Sequence, residues 1–354
     1  MGKFKDAAWK KLCLAGVITT EDYWKICKKR TLHYSRICSY SRKKFDLSKY
    51  SDDDAKNLFR FTHFQIYTLV NLLRIPQNFT VHRSRCTGIE GLCILLRRLS
   101  YPNRLCDLVN IFHRDPSTIS RIFNYMVKFV YFRNKHRVQS LNQCWILNRL
   151  EEFAQCCVAA GSMYPNIIGF IDGTARAICR PKYKQRDFYS GYKKQHMLKY
   201  QSIVFPNGLI GRLDGPFIGR RHDAAILNLS DIRLEMANVF STPTTNYALY
   251  GDPGYSNSQY IKVGYKNHHS LTERQKLFNK TMSALRVSVE YGFGKIVQLF
   301  AFVDFKKNQK VYLQHLKFQY YVAAFLVNCY ICMSGCQISD YFACLPPSIQ
   351  EYLQ

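Results

Sequence analysis

Three carboxylates stand at places where a folded chain can present them together. Asp172 follows the apolar run Asn166–Ile171, Asp252 follows Tyr247–Gly251, and Glu290 lies in the run Arg286–Phe293. Carboxylates gathered in one place repel each other unless a cation lies between them. A hard divalent ion such as Mg²⁺ meets that need through oxygen ligands. Two such ions, roughly 3.5–4 Å apart, activate a water and steady the leaving oxygen in phosphodiester cleavage. Each acid also has a plainer reading. Asp172 and Asp252 suit turns, Glu290 can pair with Arg286 one helical turn earlier, and Asp223 can cap a helix. Residue types alone leave both possibilities open.

The elements that must position these acids read as α/β. Asn166–Ile171 is a short apolar strand closed by Asp172–Gly173–Thr174, and Lys199–Phe205 is a second. Pro206–Asn207–Gly208 turns the chain into a third strand, Leu209–Gly215. Asp223 opens a helix, Tyr247–Tyr250 is a fourth strand, and a helix from about Thr281 carries Arg286, Val289, Glu290 and Phe293. Val311–Cys332 reads as one long apolar helix completing the core. Its most apolar part, Tyr320–Met333, is interrupted by Asn328 and is shorter than the roughly 20 residues a bilayer requires. No membrane partner is therefore expected. The order strand, hairpin, helix, strand, helix predicts a mixed sheet flanked by helices.

Before the strands the pattern is helical. Asp52, Asp53 and Asp54 precede apolar positions from Leu58 to Leu73 at helical spacing, ended by Pro76. Three segments follow, at about Gly88–Leu99, Leu105–Phe112 and Ser117–Tyr131, the last capped by Asp115 with Pro116 in its first turn. Its apolar stripe is Ile119, Ile122, Phe123, Met126, Val127 and Val130. The opposite face offers Ser117, Thr118, Ser120, Arg121, Asn124 and Lys128, types that reach phosphates and base edges. Two helices joined by a tight turn, with such a face on the second, predict a helix-turn-helix over about residues 88–131, weighed against a structural hairpin.

Charge points to a polyanionic partner. Fifty-one Lys and Arg against 24 Asp and Glu leave +27. Residues 1–150 hold 28 basic and 10 acidic residues (+18), and residues 151–354 hold 23 and 14 (+9). A basic gripping region before a more acidic chemical region fits that split. The apolar share of 47% excludes disorder over most of the chain. Many of the fourteen cysteines sit in apolar helical runs, and no secretory signal opens the chain, so a reducing compartment is expected. Cys329, Cys332 and Cys336 share a helical face, where packing is favoured over zinc.

Several blocks in the second half resemble PIF/Harbinger transposases and their domesticated relatives. They are Ile171–Thr174, Tyr189–His196, Leu198–Gln201, Gly219–Asp223, Gly251–Tyr255 and Arg286–Phe293, in the family's order across about residues 165–330. The resemblance implies an RNase H-like α/β fold behind the helix-turn-helix, with DNA cutting and joining by two metal ions, Mg²⁺ or Mn²⁺. It puts the family's three acids on Asp172, Asp252 and Glu290, with Asp172 bridging the ions and Asp223 a candidate fourth ligand. Tyr291 departs from the Trp that relatives often carry. Lys193, Lys194, His196, Arg220 and Arg221 are expected to hold phosphates near the cut, from their charge and nearness to these blocks. The resemblance further implies transposon-end and target DNA as substrates, a Myb-like accessory protein, a homo-oligomer and work in the nucleus. Lys28–Arg30 and Arg42–Lys44 are weak import signals or parts of a DNA-contacting arm. The expected layout is a basic arm (1–50), a helical DNA-binding region (51–150), a nuclease domain (160–335) and a tail (336–354). Two competing expectations are a catalytically idle DNA-binding protein on the same fold and an RNA-binding structural protein.

Overall fold

A computed structural model describes residues 44–266 and 271–354. Most of the basic arm expected over residues 1–50 lies outside the described residues, as do both basic clusters except Lys44. The chain divides into two compact units. The larger is Leu47–Pro102 with Ile122–Gln354; the smaller is Met1–Asp46 with Asn103–Arg121.

In the larger unit, the single helix expected before Pro76 is two helices, Asp52–Phe59 (α1) and His63–Leu72 (α2). Arg60 takes a left-handed conformation at the end of α1, and Thr62 opens α2 through a capping box with Gln65. A hairpin follows, Asn78–Val81 (β1) against Ser84–Thr87 (β2), and then Gly88–Ser100 (α3), with Thr87 as its cap. Arg60 donates to the Leu299 carbonyl at 3.1 Å, and the Arg98 guanidinium lies 4.5 Å from the Phe302 ring centre. The N-terminal helices are thus fastened to the C-terminal half.

In the smaller unit, Leu105–Leu108 and Val109–Phe112 form short helical turns, and His113 is left-handed. Asp115 accepts from the Thr118 amide at 3.0 Å and from its hydroxyl, capping as expected the helix Pro116–Asn134 (α4), of which only Pro116–Arg121 belongs to this unit. Phe45 packs on Phe112, with 5.0 Å between ring centres.

The main sheet holds Ile167–Ala177 (β3), Tyr189–Ser190 (β4), Gln195–Val204 (β5), Ile210–Ile218 (β6), Ala248–Gly251 (β7) and Ile261–Val263 (β8). β5 lies antiparallel between β3 and β6, while β7 and β8 continue beyond β3 in parallel. The order across the sheet is therefore β6-β5-β3-β7-β8, with β4 paired to the start of β5. This is the expected mixed sheet. Its helices are Leu150–Ala159 (α5), Asp223–Leu229 (α6), Ile232–Phe240 (α7), Glu273–Leu299 (α8) and Leu316–Ser334 (α9). α8 starts eight residues before the expected Thr281 because Thr272 and Gln275 form a capping box there. It approaches β5 at Gly292, where an added Cβ would stand 3.0 Å from Val204.

Composition and length alone would let α9 cross a bilayer, but 72% of its apolar window is buried inside the protein. The residue that interrupts its apolar run explains how it docks. The Asn328 side chain accepts from the Ile210 amide at 2.9 Å and donates to the Ile210 carbonyl at 2.8 Å, closing the outer edge of β6. It also donates to the Tyr352 hydroxyl at 3.0 Å. Asn328→Leu should cost about 2–4 kcal/mol, since two buried backbone groups lose their partners. Urea denaturation measures this; an unchanged midpoint would show that water replaces the amide.

Residues 336–354, expected as a tail, are packed. Phe342, Cys344, Ile349 and Tyr352 are buried, and Arg137 donates to the Tyr352 and Leu353 carbonyls at 2.7 and 2.6 Å.

Candidate active site

Asp172 lies within β3 rather than at its end. The strand continues five residues further because Gly173–Ala177 pair with Gln201–Met197 of β5. On its other edge β3 runs parallel to β7, with Ile171 opposite Gly251. Asp172 and Asp252 are the residues that directly follow this last pair, on chains that run about 4.8 Å apart where they are paired. Pro253, which has no amide hydrogen for a ladder, then ends β7. The turn after Asp252 is held by the Tyr255 amide bonding back to the Asp252 carbonyl at 2.9 Å. Tyr255 is itself buried, its hydroxyl receiving Gln201 at 2.8 Å. Gln201 therefore ties β5 to the Asp252 turn, a role the sequence blocks contained but did not reveal.

Glu290 reaches the same region from α8. The pairing expected with Arg286 is present, Nη2 to Oε1 at 3.2 Å. Arg286 also donates Nη1 to Asp172 Oδ2 at 3.1 Å, a contact not anticipated from sequence. One guanidinium thus spans two of the three acids. Asp172 and Glu290 line a cleft of about 610 Å³ with Arg176, Phe293 and Gln298. Asp172 is mostly buried, and its carboxyl is pushed up to about 6. Burial is the largest cause. The Gly173 amide, at 2.8 Å, and Arg286 oppose it, and the charges of Asp252 and Glu290 add to it. Each of the other two acids is therefore close enough for Asp172 to feel its charge.

A second cleft, of about 850 Å³, shares Gly173 and Thr174 with the first. Lys193, Arg220 and Arg221 line it, together with Lys199 and His222. Arg220 is mostly exposed and pairs with Asp187 at 3.4 Å. Tyr192, 89% exposed, stands at the rim with the Lys193 ammonium 5.2 Å from its ring centre. Lys194 and His196 are not among its walls. Lys194 is exposed in the β4–β5 turn, and His196 packs on Tyr189, 5.4 Å between rings. Its imidazole is pushed down by desolvation and by Arg180 and Lys306.

Residues 171–328 match the family model described as DDE superfamily endonuclease. That match supports a DDE nuclease. No curated protein and no solved structure matches the chain. All three acids fall inside the matched stretch, and the mixed sheet flanked by helices fits a DDE nuclease fold. DDE endonucleases act on DNA, which supports DNA as the partner.

The donor set within the matched stretch suits a hard divalent ion, being three carboxylates of which Asp172 feels the charge of the other two. Their present arrangement is not a chelate. Among the described residues no group of three His, Cys, Asp or Glu is placed to hold a metal, and Arg286 supplies the positive charge between Asp172 and Glu290. Asp223 is the first residue of α6, but its side chain lies outside the described part of the structure. The cysteines at 329, 332 and 336 form no such group either; Cys336 caps the short helix Gln337–Tyr341.

The outer face expected on α4 is partly realised. Ser117, Arg121 and Lys128 are exposed, while Ser120 and Asn124 are half-buried and have partners. Thr118 is not on that face. It is buried, with its hydroxyl committed to Asp115.

Proposed function

We propose that this protein is a DDE-type transposase nuclease that cuts DNA phosphodiester bonds, and joins them, at Asp172, Asp252 and Glu290. The β3–β7 pairing supports this reading, because Asp172 and Asp252, 80 positions apart in the chain, directly follow its last pair, Ile171 and Gly251, and Asp172 feels the charge of Asp252. Glu290 completes the set from α8. These three side chains would hold the divalent ions, Mg²⁺ or Mn²⁺, that such chemistry uses to activate a water or a DNA 3′-hydroxyl and to steady the leaving oxygen.

The chain's own residues account for the remaining work. β3 carries Asp172, β7 ends one residue before Asp252, and the Gln201–Tyr255 hydrogen bond braces the turn that follows Asp252. Lys193, Arg220 and Arg221 present charge to a strand lying in the second cleft, so its phosphates are held beside Gly173 and Thr174. Ser117, Arg121 and Lys128 on α4 supply a face for duplex DNA in the manner of a helix-turn-helix. Work in the nucleus, with a Myb-like accessory protein, belongs to the same proposal through the Harbinger resemblance.

One observation favours the idle alternative: the Arg286 guanidinium bonds both Asp172 and Glu290 and offsets one of their two negative charges. Purified protein with inverted-repeat DNA decides between the two. Strand cleavage is expected in Mg²⁺ or Mn²⁺ and should vanish in EDTA. Tight binding without cutting in either ion would favour the idle protein.

A further inference from the structure

Beyond the second cleft lies a group of cations that the proposed chemistry does not use. The chain leaves β3 at Ala177 and enters a loop carrying Arg180, Lys182 and Lys184, all exposed. This loop is fastened to a second basic turn. The Cys179 amide donates to the Gln309 carbonyl at 2.9 Å, and its thiol donates to the Lys306 carbonyl at 3.1 Å. That turn brings Lys306, Lys307 and Lys310, also exposed. None of these six cations is ion-paired with a carboxylate among the described residues. The nearby acids are engaged elsewhere, Asp187 with Arg220 and Asp304 with Arg176.

Two aromatic rings complete the surface. Tyr183 and Tyr312 lie 6.3 Å apart, edge to face, and are 60% and 58% exposed. The Lys182 ammonium sits 5.3 Å from the Tyr183 ring centre. Paired lysine turns with exposed rings between them match the needs of a nucleic-acid backbone: charge for phosphates and flat apolar faces for sugars and bases. An apolar protein partner would not select so many unpaired cations.

Distance gives the surface its place. From Asp172 to Ala177 is five strand residues, about 17 Å at ~3.3 Å per residue. B-form DNA covers that span in about five base pairs at ~3.4 Å each. We infer that the Arg180–Lys184 loop and the Lys306–Tyr312 turn form a clamp on the DNA flanking the cut, about five base pairs or slightly more from the scissile bond. This rests on the DNA-cutting reading above and extends it to the path of the substrate.

The test uses the full chain and its triple variant K306A/K307A/K310A, measuring duplex binding between 50 and 200 mM salt. Each lost phosphate contact flattens the slope of log K against log salt by about 0.9. The variant should therefore be less steep by two to three and bind at least tenfold more weakly at the lower salt. Trimming either flank in turn to three base pairs identifies the clamped side, where wild type should fall to the variant's slope and the variant should change little. Equal slopes on full-length duplex would overturn the inference, as would a slope difference that survives trimming of both flanks. Loss of binding to polyglutamate with unaltered DNA binding would assign the surface to an acidic protein and also overturn it. Cleavage by wild type is scored in parallel. Wild type that cuts DNA while the slopes agree sinks the clamp alone, whereas wild type that neither binds nor cuts sinks the functional reading and the clamp with it.

Discussion

Asp172→Asn should abolish strand cleavage, by at least about a thousandfold (~4 kcal/mol in the barrier), while DNA binding stays within about twofold. The carboxylate feels the charge of both other acids and lines the cleft, so its charge is central to the proposed chemistry. The cations proposed to hold DNA, Lys193, Arg220 and Arg221, line the second cleft. Single-turnover cleavage and a binding titration on the same duplex check both halves, and retained metal-dependent cutting would remove Asp172 from the site. The same variant should be more stable than wild type in EDTA at pH 7.5. Raising a carboxyl from 3.8 to about 6 corresponds to ~2–3 kcal/mol against the folded, charged form. Because the folded value lies above the unfolded one, the native state binds more protons between about pH 4 and 6, and stability falls as pH rises through that window. The advantage of Asn should therefore shrink towards pH 4. A variant less stable than wild type at pH 7.5 would mean that the Arg286 contact outweighs burial.

Arg286→Gln should have the opposite sign in metal-free protein. The guanidinium is 20% exposed and bonds two carboxylates, so its removal leaves Asp172 buried beside like charges. A loss of ~2 kcal/mol is expected, lowering the melting temperature in EDTA by about 5 °C. Mn²⁺ should then stabilise the variant more than wild type, since the ion no longer competes with an internal cation. Equal Mn²⁺-induced shifts in the two proteins would show that Arg286 does not stand where an ion would bind.

Much of the fold was legible because its signals are local. The apolar runs before Asp172 and Asp252 are strands, the Pro206–Asn207–Gly208 turn joins β5 to β6, and Asp115 caps α4. What stayed hidden depended on partners distant in sequence. The extension of β3 past Asp172 exists only because β5 pairs with it, so Gly173 and Thr174 read as a turn. The β1–β2 hairpin turns on His82 and Arg83, both with positive φ, where the usual signal is Asn-Gly. Thr118 looked available on a helical wheel, but a cap draws its hydroxyl inward. In the site, the three acids and the Arg286–Glu290 pair were readable from spacing and resemblance. The bond from Arg286 to Asp172 was not, since 114 residues separate them.

That separation has a consequence for how activity is acquired. Side chains 80 and 118 positions from Asp172 must arrive before the proposed site exists, and closing such long loops carries an entropic cost that the finished packing offsets. On the proposed function, a chain in which β7 or α8 has not yet docked would hold Asp172 without one of its partner acids.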